Sequence, residues 1–192
     1  MRVIAGIHRG RPLVPPPGDA TRPITDRAKQ SLFDALAPRI DGSTVFDCFC
    51  GTGSMGLECL SRGASHAFFF DADRGALAGL RKNIDALRAA DASTIMAGDI
   101  FKLIRTAGLP KADLLFFDPP YRFLRERPGD LQDFAAYVAA TLANESAELI
   151  FRHDKADTLA LSPWASWQTK TYGSMAIERL RLVPSPGTPG EG

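Results

Sequence analysis

Residues 44–56 run without a break from a β-prone apolar stretch, Thr44–Phe49, through a glycine loop into a helical pattern that starts at Ser54. A strand that passes to a helix in this way belongs to an open, mostly parallel sheet, because parallel neighbours need a covering crossover. The downstream chain repeats the alternation. Strands are expected at Thr44–Phe49, His66–Phe70, Thr94–Ala97, Asp113–Phe117 and Glu148–Arg152, and helices at Ser54–Arg62, Arg74–Ala90, Phe101–Ala107 and Leu131–Ala143. Trp167–Tyr172 and Met175–Val183 flank Gly173 and read as a final antiparallel pair. Upstream, Val3–Pro17 reads as a hairpin or extended arm. Asp26 then opens a helix with Ala28, Ser31, Leu32, Ala35 and Leu36 on one face, Thr25 as its N-cap and Pro38 as its stop. The expectation is an α/β, Rossmann-like fold of about seven strands. It forms a single domain over residues 1–183, with a β-hairpin arm in residues 1–25 and a disordered Pro/Gly tail over 184–192.

Composition removes several classes. With 192 residues, 45% of them hydrophobic, the chain can fill one core. No apolar run nears the ~20 residues of a membrane span, and no signal-peptide pattern opens the chain, so a cytoplasmic protein is expected. Cys48, Cys50 and Cys59 are odd in number and crowded, which favours reduced thiols over a disulfide framework. Their spacing suits neither zinc nor redox chemistry, and the histidines lie far apart, so no metal is expected. The net charge of +1 hides an asymmetry. Residues 1–39 carry Arg2, Arg9, Arg11, Arg22, Arg27, Lys29 and Arg39 against three aspartates, and Arg122, Arg125 and Arg127 surround a single Glu126. Such patches suit a phosphate backbone.

Gly51-Thr52-Gly53-Ser54-Met55-Gly56 matches G-x-G-x-x-G, and Asp71 stands twenty positions on, at the end of the next strand. Glycines let the backbone approach a ligand, a helix N-terminus offers unpaired N–H groups, and an acid after the second strand suits ribose hydroxyls. The loop therefore points to an adenosine-type cofactor and leaves a nicotinamide dehydrogenase open. Asp47, four residues before Gly51, would repel a pyrophosphate, whereas it suits a cofactor amino group. Asp99, after the third strand, could accept a bond from an adenine amine. Both fit S-adenosylmethionine better than NAD.

Asp118-Pro119-Pro120-Tyr121 closes the apolar run Leu114–Phe117. The prolines stop ladder pairing and hold the chain extended. One carboxylate, one carbonyl and one aromatic face are thereby presented together, which suits a flat molecule bearing an exocyclic amine.

Taken together, Arg22-Pro23-Ile24-Thr25-Asp26-Arg27, the Phe46–Ala64 segment with its glycine loop, and Asp118-Pro119-Pro120-Tyr121 resemble one family. It is the bacterial methyltransferases that modify the N2 amine of guanine 966 in 16S ribosomal RNA. The resemblance runs from the arm to Gly173-Ser174-Met175-Ala176 and implies a class I S-adenosylmethionine-dependent methyltransferase fold. By this resemblance Asp47, Gly51, Gly53, Asp71 and Asp99 line the S-adenosylmethionine site, Arg22 and Thr25 lie over it, and Asp118, Pro119 and Tyr121 hold the base. Arg9, Arg11, Arg122, Arg125 and Arg127 are the candidate RNA contacts. The implied partner is 16S rRNA, within a 30S subunit or an assembly intermediate, and the chain is expected to act as a monomer. Departures are Cys50-Gly51-Thr52 in place of Ala-Gly-Ser, Ile24 in place of Thr, and Asp71 where Glu is frequent. The rivals are a DNA amino-methyltransferase with the same pocket, a nicotinamide oxidoreductase, and a non-catalytic nucleic-acid-binding module.

Overall fold

The two core strands that meet at the glycine loop are apolar on both faces, and the sheet explains why. In the computed structural model, which describes residues 1–16, 24–106 and 108–183, the strands are β1 (Thr44–Cys48), β2 (His66–Asp71), β3 (Ser93–Ala97), β4 (Ala112–Phe117), β5 (Ala143–Asp154), β6 (Trp164–Tyr172) and β7 (Met175–Leu182). They form one sheet in the order β3-β2-β1-β4-β5-β7-β6. The first five are parallel, while β7 runs antiparallel to β5 and to β6. Val45, Leu114, Phe116 and Ile150 pack on one face, against α1 (Asp26–Leu36), α2 (Ser54–Ser61) and α3 (Arg74–Leu87). Phe46, Leu115, Phe117 and Phe151 pack on the other, against α4 (Ile100–Leu103), α5 (Phe123–Glu126) and α6 (Pro128–Thr141). A strand covered on both sides reads as a continuous apolar run. The expected fold class is the one found.

Strand order runs outward from β1 through β2 to β3, and from β4 through β5 in the other direction. The reversal sits between β1 and β4, and their carboxyl ends, Cys48 and Phe117, lie side by side in register. In open α/β sheets this switch point is where a crevice opens for a ligand.

Element boundaries depart from the expected ones at several places, among them β6, which starts at Trp164 and not Trp167, and α4, which ends at Leu103. β5 starts at Ala143, five residues before the expected Glu148, because Ala143 pairs with Ala112 below a register shift. Asn144, Glu145 and Ser146 are polar and partly or fully exposed, so no apolar signal marks that stretch. The short helix α5 was not expected, since four residues are too few to display a helical period. In the arm, the hairpin is held by an isolated Arg2–Pro12 bridge and by Val3 N–H to Arg11 O (3.0 Å), Gly10 N–H to Val3 O (2.9 Å) and Leu13 N–H to Met1 O (3.1 Å), not by two regular strands. Residues 17–23 and the tail 184–192 lie outside the described residues.

The arm is fastened to the domain by a buried charge. Glu58 on α2 is fully buried, and its two oxygens accept the backbone N–H groups of Ile4 (2.7 Å) and Ala5 (3.0 Å). It also pairs with Lys29 Nζ (3.0 Å) and Arg62 Nε (2.8 Å). Lys29, 1% exposed, donates further to Arg2 O and Ser54 Oγ. Burial alone would raise Glu58 and lower Lys29; the paired Lys29 and Arg62 charges and the Ile4 N–H hold Glu58 below its ordinary value. Buried charges persist only when their bonding is satisfied this fully. The arrangement fixes the start of the arm, Asn83 holds its other end through Val14 N–H (2.7 Å) and Val14 O (3.3 Å), and Met1 and Pro16 line the switch-point crevice.

Candidate active site

The crevice is built by a forced turn. After β1, Phe49 takes a left-handed conformation (φ 60°), uncommon for a bulky residue. Its ring is held among Phe101, Phe117 and Phe123, at centroid distances of 5.8–6.0 Å. The chain then turns through Cys50 and Gly51 to Gly53, the N-cap of α2, at φ 80°. A Cβ on Gly53 would meet Leu80 Cδ1 at 2.3 Å, and one on Gly56 would meet Phe69 at 2.4 Å. The glycines thus let α2 sit directly on β2 and α3. No side chain caps α2, and the Ser54 and Met55 amides have no acceptor among the described residues, so the helix presents free N–H groups to the crevice.

The crevice is open to solvent, with a cavity volume of about 140 Å³, and is lined by Met1, Pro16, Ile24, Asp47, Phe49, Cys50, Gly51, Thr52, Ser54, Met55, Asp118, Pro120 and Arg152. Asp47, 2% exposed, accepts the Gly56 N–H at 2.8 Å. Burial pushes its pKa up to about 7, against the Gly56 bond and with a further push from the Asp118 and Asp71 charges. Asp71 stands behind the wall: one oxygen accepts the Gly51 N–H (2.7 Å) and the other the Asp73 N–H (2.9 Å). Across the crevice, Asp118 leaves the end of β4 with both oxygens on Arg152, Oδ1 taking Nε at 2.6 Å and Oδ2 contacting Nη2. Withdrawal from solvent raises the Asp118 carboxyl above its ordinary value, and the Arg152 charge offsets only part of that rise. Burial likewise works against the Arg152 charge, and Asp118 outweighs it.

The expected residues divide. Asp47, Gly51 and Asp118 line the crevice together, while Asp71 supports it through Gly51. Pro119 is buried, and Tyr121 is 37% exposed next to the lining Pro120. Asp99 is exposed and caps α4 by accepting the Phe101 N–H (3.0 Å), so in this state its carboxylate serves the helix. Thr25 caps α1 through the Ala28 N–H (3.2 Å). Thr25→Ala is therefore expected to cost about 1 kcal/mol of stability, read from the denaturant midpoint; a loss of ligand affinity larger than that would add a contact in the crevice. Arg22 lies outside the described residues.

The arginines divide in the same way. Arg9 and Arg11 sit at the arm's far end: the tip bonds to Ser61 at the last turn of α2, and Arg11 donates to Ala86 O near the end of α3. That end is a helix length, about 12 Å for eight residues, from the crevice. The segment after Asp118 lies close to it. There Arg125 pairs with Asp157 and Arg127 with Asp130, while Arg122 lies 3.8 Å from Glu126. These are largely exposed pairs of the kind worth about 0–1 kcal/mol, readily exchanged for a phosphate.

Two features escaped the sequence. Arg152 carries no motif and meets Asp118 only because Phe117 pairs with Phe151. Glu58 lies within a quoted motif, yet nothing local marks it as the arm's anchor. Among the described residues no group of three or more His, Cys, Asp or Glu could hold a metal ion, and no helix is long and apolar enough to cross a membrane.

Comparison with known proteins agrees with this geometry. The ribosomal RNA small subunit methyltransferase D of Escherichia coli K12 is 38% identical over 122 residues, and that of Haemophilus influenzae 37% over 125. Each match covers 64% of this chain and just under two thirds of the relative, 61% and 65%. The solved structure of the Escherichia coli protein yhhF superposes with a TM-score of 0.77 at 32% identity, over 95% of this chain and 97% of that one. An RNA methyltransferase from Salinibacter ruber, in complex with S-adenosyl-L-homocysteine, shares the fold at 15% identity (TM-score 0.64, covering 88% of this chain and 100% of that one). Over residues 1–181 the chain matches, and it belongs to, the family described as conserved hypothetical protein 95.

Proposed function

We propose that this chain transfers a methyl group from S-adenosylmethionine to the N2 amine of a guanine in 16S ribosomal RNA, guanine 966 by the family resemblance, within a 30S subunit or its precursor. The observation that carries the reading is the convergence of Asp47, the uncapped α2 N-terminus and Asp118 on one crevice at the β1/β4 switch point. The likeness to two small-subunit rRNA methyltransferases at 37–38% identity supports the substrate class.

The crevice fits the cofactor. Free N–H groups at Ser54 and Met55 suit a carboxylate, Asp47 suits an amine, and Asp71 is placed beside the loop for hydroxyls. When bound, the sulfonium supplies an already activated methyl group. The chain's own residues supply position. Asp118 and the Pro119 carbonyl accept the N–H groups of the target amine, which counters delocalisation of its lone pair into the ring. Tyr121, exposed at the rim, stacks on the flipped base. Asp118, kept toward its ionised form by Arg152, stabilises the positive charge that develops on nitrogen. Arg122, Arg125 and Arg127 hold the phosphates flanking the flipped base.

Tyr121→Ala is expected to weaken RNA capture by about 1–3 kcal/mol, seen in KM more than in kcat, whereas Tyr121→Phe stays near wild type. A large loss in Tyr121→Phe would assign work to the hydroxyl. The substrate class is tested with tritiated S-adenosylmethionine offered 30S subunits, naked 16S RNA and genomic DNA in parallel. Label in the ribosomal RNA supports the reading; label confined to DNA overturns it in favour of a DNA amino-methyltransferase.

A further inference from the structure

A carboxylate beside an extended Pro-Pro serves any exocyclic amine, so Asp118 alone does not choose among bases. On adenine and cytosine the amine is flanked by a ring acceptor. On guanine the N2 amine has the acceptor N3 on one side, but along the Watson–Crick edge its neighbour is the N1–H donor, and the O6 acceptor stands one atom further on. A site that selects guanine therefore needs acceptors followed, along the same edge, by a donor.

Arg152 provides that order. Among the described residues it is the one cationic side chain in the crevice lining, where it stands with the two acids Asp47 and Asp118. It engages Asp118 through Nε and Nη2, the side edge of the guanidinium. The end edge, one N–H from each of Nη1 and Nη2, has no acceptor among the described residues. Asp118 keeps further lone pairs, since a carboxylate offers about four acceptor sites and this pair uses two. The side chain is 14% exposed, and the planar, always-charged group is held in one orientation by its partner, so its free edge is fixed relative to the Asp118 oxygens.

We infer that Arg152 is the guanine-specificity residue of this site. Asp118 takes the N2 side of the base edge while the free guanidinium edge of Arg152 donates to O6. The inference rests on the methyltransferase reading above and deepens it by assigning the base choice to a named side chain.

The test compares RNA carrying guanine at the methylated position with RNA carrying 2,6-diaminopurine there, which keeps the 2-amine, replaces O6 with an amine donor and turns N1 from donor to acceptor; the Arg152 variants isolate the O6 contact. Wild-type enzyme is expected to prefer guanine in kcat/KM by roughly 10–100-fold, the range of one well-placed bidentate base contact. Arg152→Met should bring that ratio to near unity, and Arg152→Lys should leave it intermediate, because the charge remains without the fork. S-adenosylmethionine affinity, measured on each variant, reports that the site is folded. A variant that loses rate equally on both RNAs and keeps the wild-type ratio overturns the assignment and leaves Arg152 as a support for Asp118. Wild-type enzyme that methylates neither RNA, nor any 30S subunit, sinks the methyltransferase reading itself, and this assignment with it.

Discussion

Asp118→Ala is expected to lower kcat roughly 10²–10⁴-fold while leaving S-adenosylmethionine affinity near wild type, the range for loss of an electrostatic or acid–base group at a reacting atom. The structure adds a second consequence. Among the described residues Asp118 is the one carboxylate bonded to Arg152, so its removal strips a largely buried guanidinium of that partner, and such a change is costly to stability. Asp118→Asn separates the two effects. Its amide oxygen still accepts from Arg152, so thermal stability should fall less than in Asp118→Ala, yet the negative charge that the developing cation requires is gone. Both variants should therefore be slow, and only the alanine variant markedly less stable. Near-normal turnover by Asp118→Asn would reduce Asp118 to a hydrogen-bond acceptor and remove charge stabilisation from the account.

The second large effect concerns Asp47 and runs through stability. Folded Asp47 titrates at about 7, against 3.8 for an ordinary aspartate, because it is buried and faces Asp118 and Asp71. Between those values the folded chain holds a proton that the unfolded chain has released, so stability falls as pH rises through the window, and above about pH 7 the whole difference counts against folding. At roughly 1.4 kcal/mol per pH unit, this amounts to about 4 kcal/mol as an upper bound. Asp47→Asn keeps an acceptor for the Gly56 N–H and discards the charge. It should raise Tm at pH 8 by up to about 8–16 °C, given about 2–4 °C per kcal/mol at this size, with the gain shrinking toward zero near pH 4. Its S-adenosylmethionine affinity should fall in the same measurement series. A Tm difference independent of pH would mean that Asp47 is not the group being titrated. The combination, stability gained and ligand lost, is the signature of a residue kept for binding at a cost to the fold.

What could be read from the chain beforehand follows from how local each determinant is. The crevice wall at Asp47–Gly56 was legible because a strand, a turn that demands glycine and a helix start lie within ten residues, and their backbone needs are written in residue type. Asp118 was legible because two prolines fix its conformation whatever surrounds it. Arg152 was not, since it lies 34 residues away and reaches Asp118 only through the β4–β5 register. Glu58 was hidden for a related reason: a charged residue on a short helix looks like surface, and only the arm's backbone N–H groups, 53 and 54 residues upstream, explain its burial. Charge density alone does not say where the basic residues lie relative to the crevice. Arg9 and Arg11 are far along the arm from the crevice, a separation set by the arm's path down α2, whereas Arg122, Arg125 and Arg127 are held beside it by the short helix that follows Asp118. Asp99 was read from its position after a strand, and that position equally makes it the cap of α4.

The most direct test of the whole account is nucleoside analysis of 30S subunits taken from cells lacking this activity and incubated with S-adenosylmethionine and the protein, with Asp118→Ala as the matched control. The account predicts N2-methylguanosine, confined to one RNase fragment of 16S RNA, with wild-type protein and essentially none with the variant, although both bind the cofactor. A methyl group on any other atom or base, or equal product from Asp118→Ala, would contradict it.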